Sequence, residues 1–367
     1  MSHNPPFRAD IVGSFLRTAA IKDARARHEA GQLDDAGLRA VEDREITALV
    51  AKQKDAGLQL ATDGEFRRAW WHYDFFGALS GVDLVESDHG IQFQGVQIKS
   101  QALKIRGPIG FPADHRMLDD FRFLDGVATV TPKMTIPSPA VLHFRLERDA
   151  VDGSGYAERD DIFDDLAAAY RDAVAAFYAA GCRYLQFDDT AWAYLCSDVE
   201  LAKAAERGIN TDRLAERYAQ LINASIAEKP DDMVITTHVC RGNFRSTWIS
   251  SGGYEPVAEQ LLSVVNYDGY FLEYDSERAG TFDPLRFLPK GDKTVVLGLV
   301  TTKTGELEQK DAIKERIEEA TTFVALEQLA LSPQCGFAST EEGNALTEDE
   351  QWNKVREVVD IAAEVWG

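Results

Sequence analysis

Short, unbroken apolar runs alternate along this chain with longer stretches whose apolar residues return every three or four positions. The first kind of pattern predicts buried β-strands and the second amphipathic helices. Strands are predicted at Ala9–Val12, Leu58–Thr62, Val127–Ile136, Tyr184–Phe187, Val234–Val239, Tyr270–Glu273, Thr294–Val300 and Gln328–Leu331, and helices at stretches such as Asp160–Ala180, Asp212–Glu228 and Gln309–Glu327. Asp160 and Asp161 suit a helix N-terminus, because acids face the positive end of the helix dipole. Gly181, Gly208 and Gly253 fall near predicted helix ends, where the chain must reverse. Strand and helix in regular alternation predict an α/β fold, a parallel (β/α)8 TIM barrel, here one domain over residues 1–367. Two connections exceed what a bare barrel needs. Ile21–Gly57 is expected to hold a helical pair, and within Val82–Gly126 the alternation from Ile91 to Ile105 predicts a β-hairpin over one face.

Composition narrows the function. The 367 residues are 45% hydrophobic, ample for a large core. The net charge of −22 disfavours nucleic acid and anionic membranes as partners, since both require clustered positive charge. No apolar run approaches the roughly 20 residues of a membrane span. The first residues, Met1 to Pro6, lack the basic and apolar segments of a secretory signal. Four cysteines without such a signal are expected to be reduced thiols in a cytoplasmic protein. Phosphate loops, dinucleotide-binding glycine patterns and a serine nucleophile elbow are all missing from the sequence.

In a barrel of this kind, chemistry sits at the C-terminal ends of the strands. Polar residues gather at those positions here: Ser14, Asp63 and Glu65, Asp188 and Asp189, His238 and Cys240, Glu273, Thr301 to Lys303, and Cys335. His238 and Cys240 are two apart at a strand end, so their side chains point the same way. A His-x-Cys pair alone reads more simply as a packed cysteine beside a hydrogen-bonded histidine. With Glu273 and Cys335 at later strand ends, the set reads as Zn²⁺ ligands, since thiolate and imidazole donors are borderline-soft and favour tetrahedral geometry. Cys182 and Cys196 read as packing. Of Asp188 and Asp189, one can face inward while the other caps the next helix. A carboxylate in Asp63-Gly64-Glu65 either holds an ammonium group or pairs with Arg67 or Arg68. The Gly13-Ser14 pair is either a turn or a carboxylate-binding donor set, and the Trp70–Phe76 aromatics either core packing or a wall for a flat substrate group.

Taken together, Ile11-Val12-Gly13-Ser14-Phe15, Asp63-Gly64-Glu65-Phe66-Arg67-Arg68, Leu185 to Asp189, Thr237-His238-Val239-Cys240, Phe271-Leu272-Glu273 and Cys335-Gly336 resemble the catalytic domain of cobalamin-independent methionine synthase. The resemblance runs from the first predicted strand to the last and is closest to the short, single-barrel branch of that family. It implies a zinc-dependent thiol S-methyltransferase that methylates homocysteine to methionine from methylfolate or another donor. It places zinc on His238, Cys240, Glu273 and Cys335, and homocysteine on Ser14, Glu65 and Asp188. The family's catalytic histidine falls near Lys303, so Lys303 or a water is expected to protonate the departing group. The family's Asp-Glu-Pro is Asp188-Asp189-Thr190 here. The alternatives are an epoxyalkane–coenzyme M type thiol alkyltransferase, whose sulfonate substrate would favour basic anchors over Glu65 and Asp188, and a non-catalytic zinc- or thiol-binding homologue. A uroporphyrinogen-decarboxylase-like barrel would have no use for the thiols.

Overall fold

The computed structural model describes residues 4–86, 92–93, 96–97, 101–243 and 250–367. Its strands are β1 (Leu60–Ala61), β2 (Ser80–Glu86), β3 (Gln92–Phe93), β4 (Val96–Gln97), β5 (Gln101–Gly110), β6 (Thr131–Pro137), β7 (Tyr184–Asp189), β8 (Val234–Val239), β9 (Gly269–Glu273), β10 (Thr294–Val300) and β11 (Leu329–Pro333). Seven of them form one curled sheet in the order β1-β6-β7-β8-β9-β10-β11, every neighbouring pair parallel. Nearly every residue from β7 to β11 is buried, because helices cover one face and side chains fill the other. That double burial is why these strands read as unbroken apolar runs. The architecture is α/β and TIM-barrel-like, as the alternating pattern predicts. Among the described residues, no helix is long and apolar enough to cross a membrane.

The first predicted strand, Ala9–Val12, is reduced to a single parallel bridge between Ala9 and Leu331 of β11. Its backbone hydrogen bonds go mostly to side chains instead of a neighbouring strand. Asp10 accepts from the backbone N–H groups of Phe7 and Ile11, Lys133 donates to the Ile11 carbonyl, Gln186 to that of Val12, and Thr62 to that of Gly13. Phe15 N–H then reaches Gly64 O at 3.1 Å, so the segment runs from β11 to the end of β1. Its interior partner is a wholly buried ion pair: Lys133 Nζ lies 3.0 Å from Asp10 Oδ1 and 4.0 Å from the centre of the Phe271 ring.

Other boundaries moved for local reasons. The predicted strand Val127–Ile136 divides into the end of a helix, Arg116–Val127, and β6; Met117, Leu118, Phe121 and Leu124 are buried at helical spacing, which claims the first part of the run. The predicted Gln309–Glu327 helix is shorter, Lys310–Ala320. Asp160–Ala180 is a 3-10 turn, Arg159–Ile162, leading into Phe163–Ala179. Gly181 and Gly208 follow helices with φ of 106° and 84°, whereas Gly253 precedes a helical segment, Glu259–Val264. The helical pair of the first connection is Ala19–Glu29 and Asp35–Asp55, capped by the side chains of Thr18 and Asp34. In the second connection, β2 pairs antiparallel with β5 and β3 with β4. Residues 91, 94–95 and 98–100 of the predicted hairpin lie outside the described residues.

Candidate metal centre and substrate cavity

His238 belongs to β8, and Cys240 follows it, its N–H continuing the ladder to Asp189 O at 3.2 Å. Cys335 follows β11, on a turn where Gln334 N–H meets Val300 O at 2.8 Å. The parallel sheet brings these ends together, 95 residues apart in sequence: Cys240 Sγ and Cys335 Sγ are separated by 3.3 Å. The ligand atoms of His238, Cys240 and Cys335 all lie within 4.8 Å of one another. The three residues are 2%, 8% and 3% exposed. Among the described residues, neither ring nitrogen of His238 makes a hydrogen bond of ordinary geometry, and the interaction it does have is with the Cys240 sulfur.

The electrostatics of the cluster favour a thiolate. The hydrogen bond from Cys335 holds the Cys240 thiol well below its ordinary range despite burial, with His238 and the Gly242 N–H (3.2 Å) assisting. The same contact, together with burial, pushes Cys335 well above it. Burial acts to lower the His238 pKa, but the hydrogen bond to Cys240, with the negative charge of Cys240, Asp188 and Glu273, outweighs it and raises the group.

Glu273, expected as the fourth ligand, ends β9 but is not among the donor atoms of this cluster. Its Oε2 accepts from Arg241 N–H at 3.2 Å, while Oε1 lies 3.4 Å from both Arg278 Nη2 and Lys303 Nζ. Burial raises its pKa against the lowering effect of Lys303, with Asp275 and Cys240 raising it further. Lys303 also lies 3.5 Å from Asp275 Oδ2. Those two carboxylates outweigh burial and raise the pKa of the ammonium.

Ser14, Glu65, Asp188, His238, Cys240 and Cys335 line one cavity, whereas Glu273 and Lys303 are not among its described lining residues. Glu65 sits at φ 59°, an uncommon conformation for a side-chain-bearing residue and a form of backbone strain concentrated at functional sites. Asp63 Oδ1 supports the turn by accepting Glu65 N–H at 2.8 Å. Glu65 Oε1 takes Thr135 Oγ1 at 3.1 Å and Arg68 at 3.7 Å, leaving Oε2 buried without a partner among the described residues. Asp188 Oδ1 accepts from Gln186 Nε2 at 2.7 Å. Burial pushes Asp188 up to about 7, with His238 opposing and Glu65 reinforcing the shift. Two crowded carboxyl groups with spare oxygens form a natural seat for an ammonium group. Ser14 Oγ accepts Ala338 N–H at 3.2 Å. Its close approach to the Cys335 turn requires glycine at 336, where a Cβ would stand 2.0 Å from that oxygen.

The open alternatives resolve in detail. Asp188 faces the cavity, whereas Asp189 Oδ1 accepts Ala191 N–H at 2.7 Å, at the start of the next helix, whose N-cap residue is Thr190. Arg67 pairs with Glu42, Asp43 and Asp120, away from the cavity, while Arg68 faces Glu65. The aromatic cluster divides: Trp70, Trp71 and His72 line the cavity, and Phe75 and Phe76 are core. Cys182 is buried and Cys196 half-buried, and neither joins the His238–Cys240–Cys335 group. Sequence reasoning missed Arg145, Thr190, Tyr194 and Asn243 on the cavity wall. Thr190 and Asn243 lie just beyond strand ends and could have been found by that rule. Arg145 and Tyr194 come from short helices after β6 and β7 and carry no sequence signal.

The family described as "Cobalamin-independent synthase, Catalytic domain" matches residues 7–364. Two Bacillus subtilis (strain 168) proteins, the uncharacterized YxjH and YxjG, are 51% and 52% identical to the chain, covering 98% and 99% of it and 95% of each relative. A solved structure from Listeria monocytogenes, titled a putative vitamin-B12 independent methionine synthase, is 45% identical with a TM-score of 0.78, each chain covered completely.

Proposed function

Because the chain belongs to the catalytic-domain family of cobalamin-independent methionine synthases and is therefore a methyltransferase of that family, we propose that it transfers a methyl group to the sulfur of homocysteine at a Zn²⁺ centre. The donor set fits that metal: two sulfurs and an imidazole, buried and grouped within 4.8 Å of one another. The sulfur separation of 3.3 Å is about 0.5 Å short of the roughly 3.8 Å that two thiolates take on one tetrahedral zinc. His238, Cys240 and Cys335 would hold the metal. When bound, zinc ionises an incoming thiol of ordinary pKa about 8.5 while leaving it nucleophilic.

The other groups are proposed to bind and orient. Glu65 Oε2 and Asp188 receive the substrate ammonium, whose charge relieves the crowding of the two carboxyl groups. Ser14, already fixed through its accepted bond from Ala338, offers its hydroxyl hydrogen to the substrate carboxylate. Trp70, Trp71 and Tyr194 cover the sulfur and exclude water from the reacting centre. In the transfer, a sulfur–carbon bond forms as the donor–methyl bond breaks, and the donor leaves with that bond's electron pair. Reduced thiols in the cluster fit a cytoplasmic setting.

The observation that carries this reading is the meeting of the His/Cys/Cys cluster and the Glu65–Asp188 pair in one cavity. The carboxylate pair disfavours a sulfonate thiol such as coenzyme M. The test combines metal analysis with thiol-consumption assays over methylfolate, methylcobalamin, sulfonium donors and epoxides. Zinc retained by the wild type and homocysteine methylated by one of the methyl donors are expected. A Cys240→Ser variant with full zinc and full activity would refute the reading.

A further inference from the structure

Part of the cavity wall is built of polar groups to which the homocysteine assignment gives no partner. His72 precedes the short helix Tyr73–Phe76 beyond β1, Arg145 ends the helix Pro139–Phe144 beyond β6, and Thr190 and Tyr194 belong to the turn and helix beyond β7. Those three strands are neighbours in the sheet, and all four residues line the same cavity as Glu65 and Asp188. His72 and Thr190 are 0% and 4% exposed, yet neither ring nitrogen of His72 nor Thr190 Oγ1 has a hydrogen-bond partner among the described residues. The buried Arg145 Nε lacks one as well, while Arg145 Nη2 donates to Tyr194 Oη at 3.1 Å. Buried polar groups are ordinarily paired, so several unpaired ones facing one cavity mark a place where a ligand supplies the partners.

Their chemistry selects the ligand. Arg145 Nε–H and the hydroxyls of Thr190 and Tyr194 are donors, the last because its oxygen already accepts from Arg145. Burial, reinforced by the Arg145 charge, holds the His72 pKa well below its ordinary range, so the ring is neutral and offers one further N–H. Among the described residues Arg145 forms no ion pair, and a guanidinium ringed by neutral donors is complementary to anionic oxygens. Tyr194 is held in place by stacking on Phe144, centroids 5.0 Å apart, and the Trp71 ring lies 4.6 Å from that of His72. Resting on the methyl-transfer reading above, we infer that His72, Arg145, Thr190 and Tyr194 form a second subsite that binds an anionic group, a carboxylate or a phosphate, of the methyl donor. Glu65 and Asp188 then take the cation of the thiol, and this subsite takes the anion of its co-substrate, so the two reactants are sorted by charge within one cavity. A sulfonium donor without an acid group is disfavoured, because it brings no anion and sets its positive charge beside Arg145.

The test pairs calorimetric binding of methyl donors with steady-state kinetics. Its probes are methylfolate, a carboxylate; methylcobalamin, a phosphodiester; and trimethylsulfonium, a cation without an acid group. The wild type is expected to bind one of the two anionic donors, and which one it binds tells carboxylate from phosphate. Arg145→Gln should weaken that binding about 10–100-fold, and His72→Phe or Thr190→Val about 3–10-fold, with KM for homocysteine held within about twofold. Arg145→Lys keeps the charge without the planar fork and should fall between wild type and Arg145→Gln. Acetate or inorganic phosphate should compete with the donor and not with homocysteine, an effect that Arg145→Gln should lose. A wild type that prefers trimethylsulfonium, unchanged donor binding in Arg145→Gln, or a loss that falls on KM for homocysteine instead would overturn the inference. If Arg145→Gln does not fold, the isosteric Thr190→Val and the anion competition decide. An anionic donor bound through Arg145 with no thiol consumed would sink the methyl-transfer reading and leave the subsite standing. No anionic donor bound by the wild type would overturn the subsite whatever the thiol assay shows.

Discussion

The buried pair Lys133–Asp10 ties the first cavity-forming segment to the barrel interior, and its removal should be felt in both stability and substrate binding. Both side chains are wholly shielded from solvent, and Lys133 Nζ also donates to Ile11 O at 2.6 Å. Removing one partner of such a pair costs about 3–5 kcal/mol, because the other charge is left buried. The two halves differ, however. Asp10 keeps three donors when Lys133 is gone: Phe7 N–H at 3.0 Å, Ile11 N–H at 2.8 Å and Tyr184 Oη at 2.9 Å. Lys133 without the Asp10 charge keeps only the Ile11 carbonyl and the faces of Tyr184 and Phe271. Lys133→Met should therefore cost about 3 kcal/mol and Asp10→Asn about 4–5 kcal/mol, with the double variant near the larger single value rather than their sum. Urea unfolding at constant m-value measures all three. Because the segment leads through Val12 to Ser14, the single variants should also raise KM for the thiol. Additive losses, or a loss below about 1 kcal/mol from either single change, would refute the reasoning.

Glu65→Gln and Asp188→Asn should each raise KM for homocysteine by about 10–100-fold, a loss of about 1.4–2.8 kcal/mol of binding, with little change for a thiol lacking the amino group. Steady-state kinetics with the two thiols checks this, and equal loss for both would remove the ammonium assignment. A separate pH effect arises at Glu357, which burial and then Glu308 raise to about 7. Its proton is held more tightly in the folded chain, so the stabilisation is complete below about pH 4.5 and lost as pH rises through 7. Glu357→Gln should therefore add on the order of 1 kcal/mol at pH 8 relative to its effect at pH 4, measured by thermal unfolding at both values.

Much of the site was legible because a barrel converts sequence into position: strands alternate faces, and their C-terminal ends converge. That logic was enough to bring His238, Cys240 and Cys335 together and to separate cavity-facing Asp188 from Asp189, which turns to the backbone of the next helix. It failed where side chains from distant turns intervene. Glu273 occupies the expected strand end, yet its carboxylate also lies 3.4 Å from cations 5 and 30 residues further along, and nothing in the local pattern records those contacts. The Ala9–Val12 run has the apolar character of a strand, but the reach of Asp10, Lys133, Gln186 and Thr62 into its backbone is a tertiary fact. Gly64 signals a turn, whereas the positive φ of Glu65 beside it does not show in the sequence.

The most direct test of the central claim is the X-ray absorption spectrum of the zinc-loaded protein before and after homocysteine is added. Two protein sulfurs and one imidazole around the metal are expected at first, with a third sulfur appearing when the thiol binds. A shell without cysteine sulfur, or an unchanged sulfur count at saturating homocysteine, would contradict the account.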